Sequence, residues 1–270
     1  ARNPHYAPIE PFLEAIALSV QDRGRWPGAP YPPSDAITEI EWAPKDTIAR
    51  AADGSDNWPI TWAADGDLYA AYGDGWGFEP KVNKKLSLGL ARIAGGPESF
   101  EGINIRSETG ERRGDGRSGP KASGMLCVDG VLYMLVRNAD RNGCASRLAW
   151  SADHAATWTW ADWQFEELGY PTFVNFGPNY AGARDDFVYV VSHDGPSAYV
   201  PADRFVLARV PKGRIADRAA YSFLVAVDRT GEPAWSPDVA ERGAGFTFPG
   251  QCLRSGLSFI AGIGRYLWWQ

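Results

Sequence analysis

Met125-Leu126-Cys127-Val128-Asp129-Gly130-Val131-Leu132-Tyr133-Met134-Leu135-Val136 is the stretch that decides the fold class. Two apolar runs of strand character flank an Asp-Gly pair, and that arrangement is a strong hairpin signal. The phrase at its centre comes back along the chain as Asp65-Gly66-Asp67-Leu68-Tyr69, Asp185-Asp186-Phe187-Val188-Tyr189 and Gly262-Ile263-Gly264-Arg265-Tyr266-Leu267. A second phrase trails the first three copies: Leu90-Ala91-Arg92, Leu148-Ala149-Trp150 and Leu207-Ala208-Arg209. A hairpin followed by another strand, repeated every ~40–50 residues or somewhat more, is the signature of a β-propeller blade. The expectation is an all-β chain, a β-propeller, with its functional residues gathered at one end of a central channel.

Bulk properties narrow the partners. The 270 residues suffice for one large domain, 44% are apolar, and 12 Trp, 11 Tyr and 12 Phe make the chain rich in aromatics. Trp packs between blades and also stacks on the C–H faces of sugar rings. A net charge of −6 argues against nucleic acid or an anionic membrane as main partner. Three cysteines, Cys127, Cys144 and Cys252, give no disulfide framework and read as buried free thiols. With three histidines and no zinc-type spacing, a histidine-rich metal site is not expected. No EF-hand loop occurs, no cofactor is expected, and Ca²⁺ in the channel is left open. No run of ~18 apolar residues marks a transmembrane helix. The run Phe12–Val20 is too short and carries Glu14, so it is not a signal peptide. The expected location is secreted or periplasmic, with the leader absent from this chain.

Residues 1–50 hold eight prolines and read as an irregular N-terminal arm packing on the propeller, with a short helix near residues 10–20 and a strand near 37–42. Residues 51–270 read as the propeller. The first blade begins at Asn57-Trp58-Pro59-Ile60-Thr61-Trp62 and runs to Ile93. Residues 106–120, dense in Gly, Ser and charge, read as a loop that is mobile or ordered only by a ligand. The second blade spans 121–163 and the third 172–210. A further strand lies near 221–227, and a last hairpin at 255–268 leaves the natural polypeptide expected to run past Gln270.

Ser151-Ala152-Asp153-His154-Ala155-Ala156-Thr157-Trp158 fits the Asp-box pattern Ser-x-Asp-x-Gly-x-Thr-Trp, with Ala155 in place of the usual Gly. Its expected role is structural, as Asp and Ser side chains tie the turn. Chemistry is expected at Asp56, in Gly54-Ser55-Asp56-Asn57-Trp58, and at Asp74, in Tyr72-Gly73-Asp74-Gly75-Trp76. If the strands between them pair, the open end of that hairpin brings the two carboxylates together. Glycoside hydrolysis needs such a pair, one proton donor and one nucleophile or base. The plainer alternative is that Asp56 caps a turn and Asp74 sits in a Gly-rich one. Trp58 and Trp76 could form a sugar platform. Substrate-binding candidates on other loops are Lys121, Asn138, Asn179, Tyr180, Arg184, Asp185, His193 and Arg254. Arg184 would neutralise an acidic sugar or simply pair with Asp185.

At Gly54–Trp58 and Tyr72–Trp76 the chain resembles the propeller glycosidases, nearest the bacterial family that includes endo-D-arabinanases. The resemblance implies a propeller of about five blades acting on polysaccharide, with the catalytic roles falling on Asp56 and Asp74. The cationic loops depart from what a neutral arabinan needs and point to a uronate- or sulfate-bearing substrate. The leading expectation is therefore a glycoside hydrolase acting on a polysaccharide. The alternatives are a polysaccharide lyase, with Arg184, Lys121 or Arg254 neutralising a uronate and Tyr180, Tyr199 or His193 taking the proton, and a non-catalytic glycan-binding propeller.

Overall fold

The computed structural model describes residues 41–269. The helix expected near residues 10–20 and most of the strand expected near 37–42 lie outside them. Residues 41–50 hold no strand, only an exposed 3₁₀ turn at Lys45–Thr47.

Strands β1 (Ile60–Trp62), β2 (Leu68–Tyr72), β3 (Gly89–Gly96) and β4 (Ser99–Ile105) form an antiparallel sheet in chain order. So do β5 (Lys121–Val128), β6 (Val131–Arg137), β7 (Ser146–Ser151) and β8 (Thr159–Phe165). A third meander runs β9 (Thr172–Asn175), β10 (Phe187–His193), β11 (Ala202–Pro211) and β12 (Ser222–Val227), and β13 (Pro233–Ser236) extends it. The third blade thus reaches further than residues 172–210, because the strand near 221–227 is its fourth. Strand β14 (Phe246–Cys252) pairs with the start of β11, where β12 does not reach. The hairpin β15 (Gly256–Ile260) and β16 (Arg265–Trp269) lies alongside, β15 running parallel to β9. The protein is all-β, built from the four-stranded meanders of a β-propeller.

Side-chain alternation explains why these sheets stand face to face. In β5 every residue is buried, as expected of a strand covered on both faces. Met125 and Cys127 pack with Tyr69, Ala71, Leu88 and Leu90 of the first sheet. Leu126 and Val128, one position on, pack with Phe173, Val188 and Val190 of the third. The second blade is therefore wedged between its neighbours, and its period-2 pattern deals apolar side chains to each in turn. Outward the burial falls away, and β4 has no fully buried residue.

The Asp129–Gly130 turn has φ of 50° and 80° at its two residues, the left-handed pair that a two-residue hairpin requires. The Ser151–Trp158 turn is held by side chains. Ser151 Oγ donates to Asp153 (2.8 Å) and accepts from the Ala155 amide (3.0 Å), while Asp153 accepts from the Thr157 amide and hydroxyl (2.9 and 2.6 Å). Ala155 has φ 70°, which is why the pattern usually places Gly there. The 106–120 loop is not loose. Arg106 pairs with Glu111, Arg112 bridges to Leu88 and lies over the Trp160 ring, and Ser107 Oγ accepts from the Gly110 amide. Its first half is thus held by contacts within the protein.

The innermost strands β1, β5 and β9 do not share a ladder and are joined by side chains reaching backbone. Thr61 Oγ1 accepts from the Cys127 amide (2.8 Å), Asn57 Nδ2 donates to the Ala122 carbonyl (2.6 Å), and Ser123 Oγ donates to the Pro171 carbonyl (2.6 Å). Gly124 permits the closest approach: a Cβ there would lie 3.0 Å from the Phe173 nitrogen and the Thr172 Cα. Gly124→Val should lower stability by about 1–3 kcal/mol through overpacking, read as a shifted denaturant midpoint. An unchanged midpoint would mean that β5 and β9 do not press together as described.

Candidate functional site

Strands β1, β5, β9 and β15 all start at the same end of the sheets, and the chain segments just before them form a mouth. Their inner faces border a cavity of about 350 Å³ whose lining includes Asn57, Trp58, Tyr170, Thr172, Arg254 and Ser255.

Asp56 and Asp74 both lie at this mouth. The Asp56 amide donates to the Gly73 carbonyl (2.9 Å) and the Gly73 amide to the Asp56 carbonyl (2.7 Å), an antiparallel bridge that continues the β1–β2 pairing. The Asp56 side chain lies over Gly73, where a Cβ would meet its Oδ1 at 2.9 Å. The two aspartates thus flank one backbone bridge. They differ in surroundings. Asp56 is exposed, and among the described residues its carboxylate makes no ion pair or hydrogen bond. Asp74, at φ 44°, receives Lys121 Nζ at 3.2 Å on Oδ2 and Lys85 Nζ at 3.6 Å on Oδ1. Lys121 is only 4% exposed, so Asp74 is its chief charge partner.

Behind the aspartates lies a second group. Arg137 and Asn138 end β6, and both are buried. Tyr199 Oη accepts from Asn138 Nδ2 (3.0 Å) and Arg137 Nη1 (3.2 Å) and donates to the Gly116 carbonyl (3.1 Å). Burial pushes the Tyr199 phenol up, but the hydrogen bonds from Asn138 and Arg137, with the charges of Arg137 and Lys121, outweigh it and bring it below its ordinary value. Tyr170 donates to Asn57 Oδ1 (3.1 Å) and is pushed up, chiefly by burial, with Arg137 and Arg254 pulling the other way. His193 ends β10, is fully buried, and lies next to the Ser197 carbonyl at 2.8 Å. Burial holds it below its ordinary value.

Six sequence candidates therefore reach this end: Asp56, Asp74, Lys121, Asn138, His193 and Arg254. The two tryptophans do not form one platform. Trp58 packs on Tyr72 and Phe78 at ring distances of 5.3 and 5.5 Å while bordering the cavity. Trp76 is exposed and lies across Gly54. Asn179, Tyr180, Arg184 and Asp185 require correction, because they occupy the opposite end. Asn179 Oδ1 accepts from the Gly130 amide (2.8 Å), beneath the β5–β6 turn. Tyr180 is buried and donates to the Phe187 carbonyl, Arg184 pairs with Asp185 at 3.3 Å, and Asp185 accepts from Tyr189. These residues brace the entry to β10, so Arg184 and Tyr180 are removed from the lyase reading. Asn57 and Tyr170 were missed as site residues. Their signal was positional, since each sits just before an innermost strand, as Lys121 opens one. Among the described residues, no group of three His, Cys, Asp or Glu is placed to hold a metal ion.

Solved structures similar to the chain include a candidate hydrolase from Bacteroides ovatus (15% identity over 78% of this chain, TM-score 0.44), the endosialidase of phage phi92 (14% over 78%, 0.40) and a Hadza microbial sialidase (14% over 80%, 0.39). The chain spans 62%, 30% and 40% of their respective lengths. At these identities and scores the likenesses fix neither activity nor substrate. No family model matches the sequence, and no curated protein matches it either.

The fold favours the Tyr199 phenolate. The stability this contributes is complete above the unfolded tyrosine value of about 10 and is lost as pH falls through the lower folded value. In an alkaline titration followed by phenolate absorbance, Tyr199 should ionise before Tyr69, Tyr170, Tyr189 and Tyr221, whose phenols are all pushed up. Tyr199→Phe should remove that earlier step; its persistence would refute the arrangement.

Proposed function

We propose that the protein is a glycoside hydrolase acting on a polysaccharide, with Asp56 and Asp74 as its carboxylate pair. The observation that supports this reading is the Asp56–Gly73 bridge: Asp74 follows Gly73, so the two aspartates lie on paired backbone beside a cavity bordered by the innermost strands. Cleaving a glycosidic bond takes a proton delivered to the leaving oxygen and a negative group or activated water at the anomeric carbon. Asp74 faces two ammonium groups, which suits it to the role that carries negative charge. Asp56, free of ion pairs, is the proton donor. Asn57 and Tyr170 supply neutral hydrogen-bonding groups beside them for sugar hydroxyls. The side-chain bonds of the Ser151–Trp158 turn support reading it as an Asp-box that braces the second blade at the end away from the site. The resemblance of the Asp56 and Asp74 motifs to the endo-D-arabinanase family is part of this proposal.

One observation favours polysaccharide lysis as a second reading: hydrogen bonds from Arg137 and Asn138 favour the phenolate of Tyr199, the form that would take the substrate proton. Elimination leaves an unsaturated uronate with its own ultraviolet absorbance, and hydrolysis does not.

On a panel of polysaccharides, reducing-end release should fall by about 10³-fold or more in Asp56→Asn and in Asp74→Asn. Asp56→Asn should unfold at an unchanged denaturant midpoint. Asp74→Asn should lose about 1–3 kcal/mol, because buried Lys121 loses its counter-charge. Full turnover in both variants would remove Asp56 and Asp74 as the carboxylate pair, and glycan binding without any product would leave a binding propeller.

A further inference from the structure

The guanidinium groups of Arg117, Arg137 and Arg254 gather around one ring, that of Tyr199, at 5.5, 5.5 and 5.1 Å from its centroid. Among the described residues, the arginines that pair with carboxylates lie elsewhere, at positions 92, 106, 184, 204, 214 and 242. The nearby acid, Asp74, is already engaged by Lys85 and Lys121. Arg137 is the sharpest case. It is 2% exposed, and its Nε has no hydrogen-bond partner. Burial, and then the charge of Arg254, weigh against its charged form. Three cations packed together, one of them buried with an unused donor, make an arrangement that an entering anion stabilises.

The cluster adjoins the proposed catalytic pair. Arg137 also lies over Tyr170 at 5.4 Å, Tyr170 bonds Asn57, and Arg254 lines the same cavity as both. A guanidinium offers a planar fork of donors that matches a carboxylate or sulfate oxygen pair. A neutral sugar chain brings no charge to meet three such forks.

We propose that Arg117, Arg137 and Arg254 form a subsite for an anionic substituent, a carboxylate or a sulfate ester, carried by the sugar chain that enters the mouth. The inference rests on the glycosidase reading above and names its substrate class. Tyr199 is a positioning residue here, since its oxygen and ring hold the arginines in place.

The test uses the full chain carrying Asp56→Asn, so that bound polymer is not consumed. Binding is measured by calorimetry at low and high salt with polygalacturonate, its methyl ester, dextran sulfate and linear arabinan. At least one anionic polymer should bind about tenfold or more tighter than either neutral one, and salt should weaken it. Adding Arg254→Gln, an exposed position, should cut anionic binding by about tenfold, a larger factor than it cuts neutral binding. Arg117→Gln should act in the same direction. Preference for polygalacturonate over dextran sulfate identifies the carboxylate, and the reverse order the sulfate. Equal affinity for neutral and anionic polymers, or anionic binding untouched by both arginine variants, overturns the subsite. The two readings fail separately. Salt-sensitive anionic binding by a wild-type chain that releases no reducing ends removes the hydrolase and keeps the subsite. Turnover of a neutral polymer with no anionic preference does the opposite.

Discussion

The central strands of this protein are held side by side without a shared ladder, and everything at the mouth depends on how that is done. Strands β1, β5 and β9 exchange no ladder hydrogen bonds with one another, and short polar side chains take over. Thr61 serves the Cys127 amide, Asn57 the Ala122 carbonyl and Ser123 the Pro171 carbonyl. Each bond joins one sheet to the next and satisfies a backbone group that burial would otherwise strand. Gly124 removes the side chain that would hold β5 and β9 apart. With the strands fixed, the residues that precede them have fixed places, and Asn57 does both jobs: one end of its amide ties β5, and the other receives Tyr170.

The two ends of the sheets are built from different chemistry. The far end consists of self-sufficient turns: Asp129–Gly130 with its left-handed pair, Ser151–Trp158 with its internal bonds, and Asn179 capping from below. The mouth end is made of long cationic side chains and tyrosines whose partners come from other blades. Lys121 reaches Asp74 across the first two sheets, and Tyr199 of the third meets Arg137 and Asn138 of the second. Local bonds make the far-end turns largely self-supporting, with Asn179 and Thr109 as their ties to neighbouring blades. Crossed bonds make the mouth sensitive to the spacing between blades, so a change in core packing would be felt there as altered distances between charges.

This division also explains what was legible in the sequence. Hairpins with Asp-Gly or Asp-rich turns announced themselves, because the signal is confined to a few consecutive residues. The second blade was read almost to the residue. Strand β4 was not expected, since Ser99-Phe100-Glu101-Gly102-Ile103-Asn104-Ile105 is an exposed outer strand with weak alternation. The 106–120 loop was read as loose because its charges look unpaired in one dimension. The pairing of the Asp56 segment with the Gly73–Asp74 segment was legible, as it needs only one hairpin. Asn179, Tyr180, Arg184 and Asp185 were assigned to the wrong end because polarity says nothing about direction along a blade. Tyr170 and the trio around Tyr199 come from separate blades, and no local pattern links them.

The segment from Gly114 to Gly119 has one property with a longer reach. Its carbonyls receive three side chains of the mouth: Gly116 accepts from Lys121 (3.3 Å) and Tyr199 (3.1 Å), and Gly119 from Asn138 (3.0 Å). Main-chain acceptors survive almost any exchange of residue type, provided the glycines that set the path remain. Arg117 can therefore be exchanged while the floor beneath it stays assembled, so this stretch is where a lineage, or an engineer, could retune polymer preference without rebuilding the scaffold.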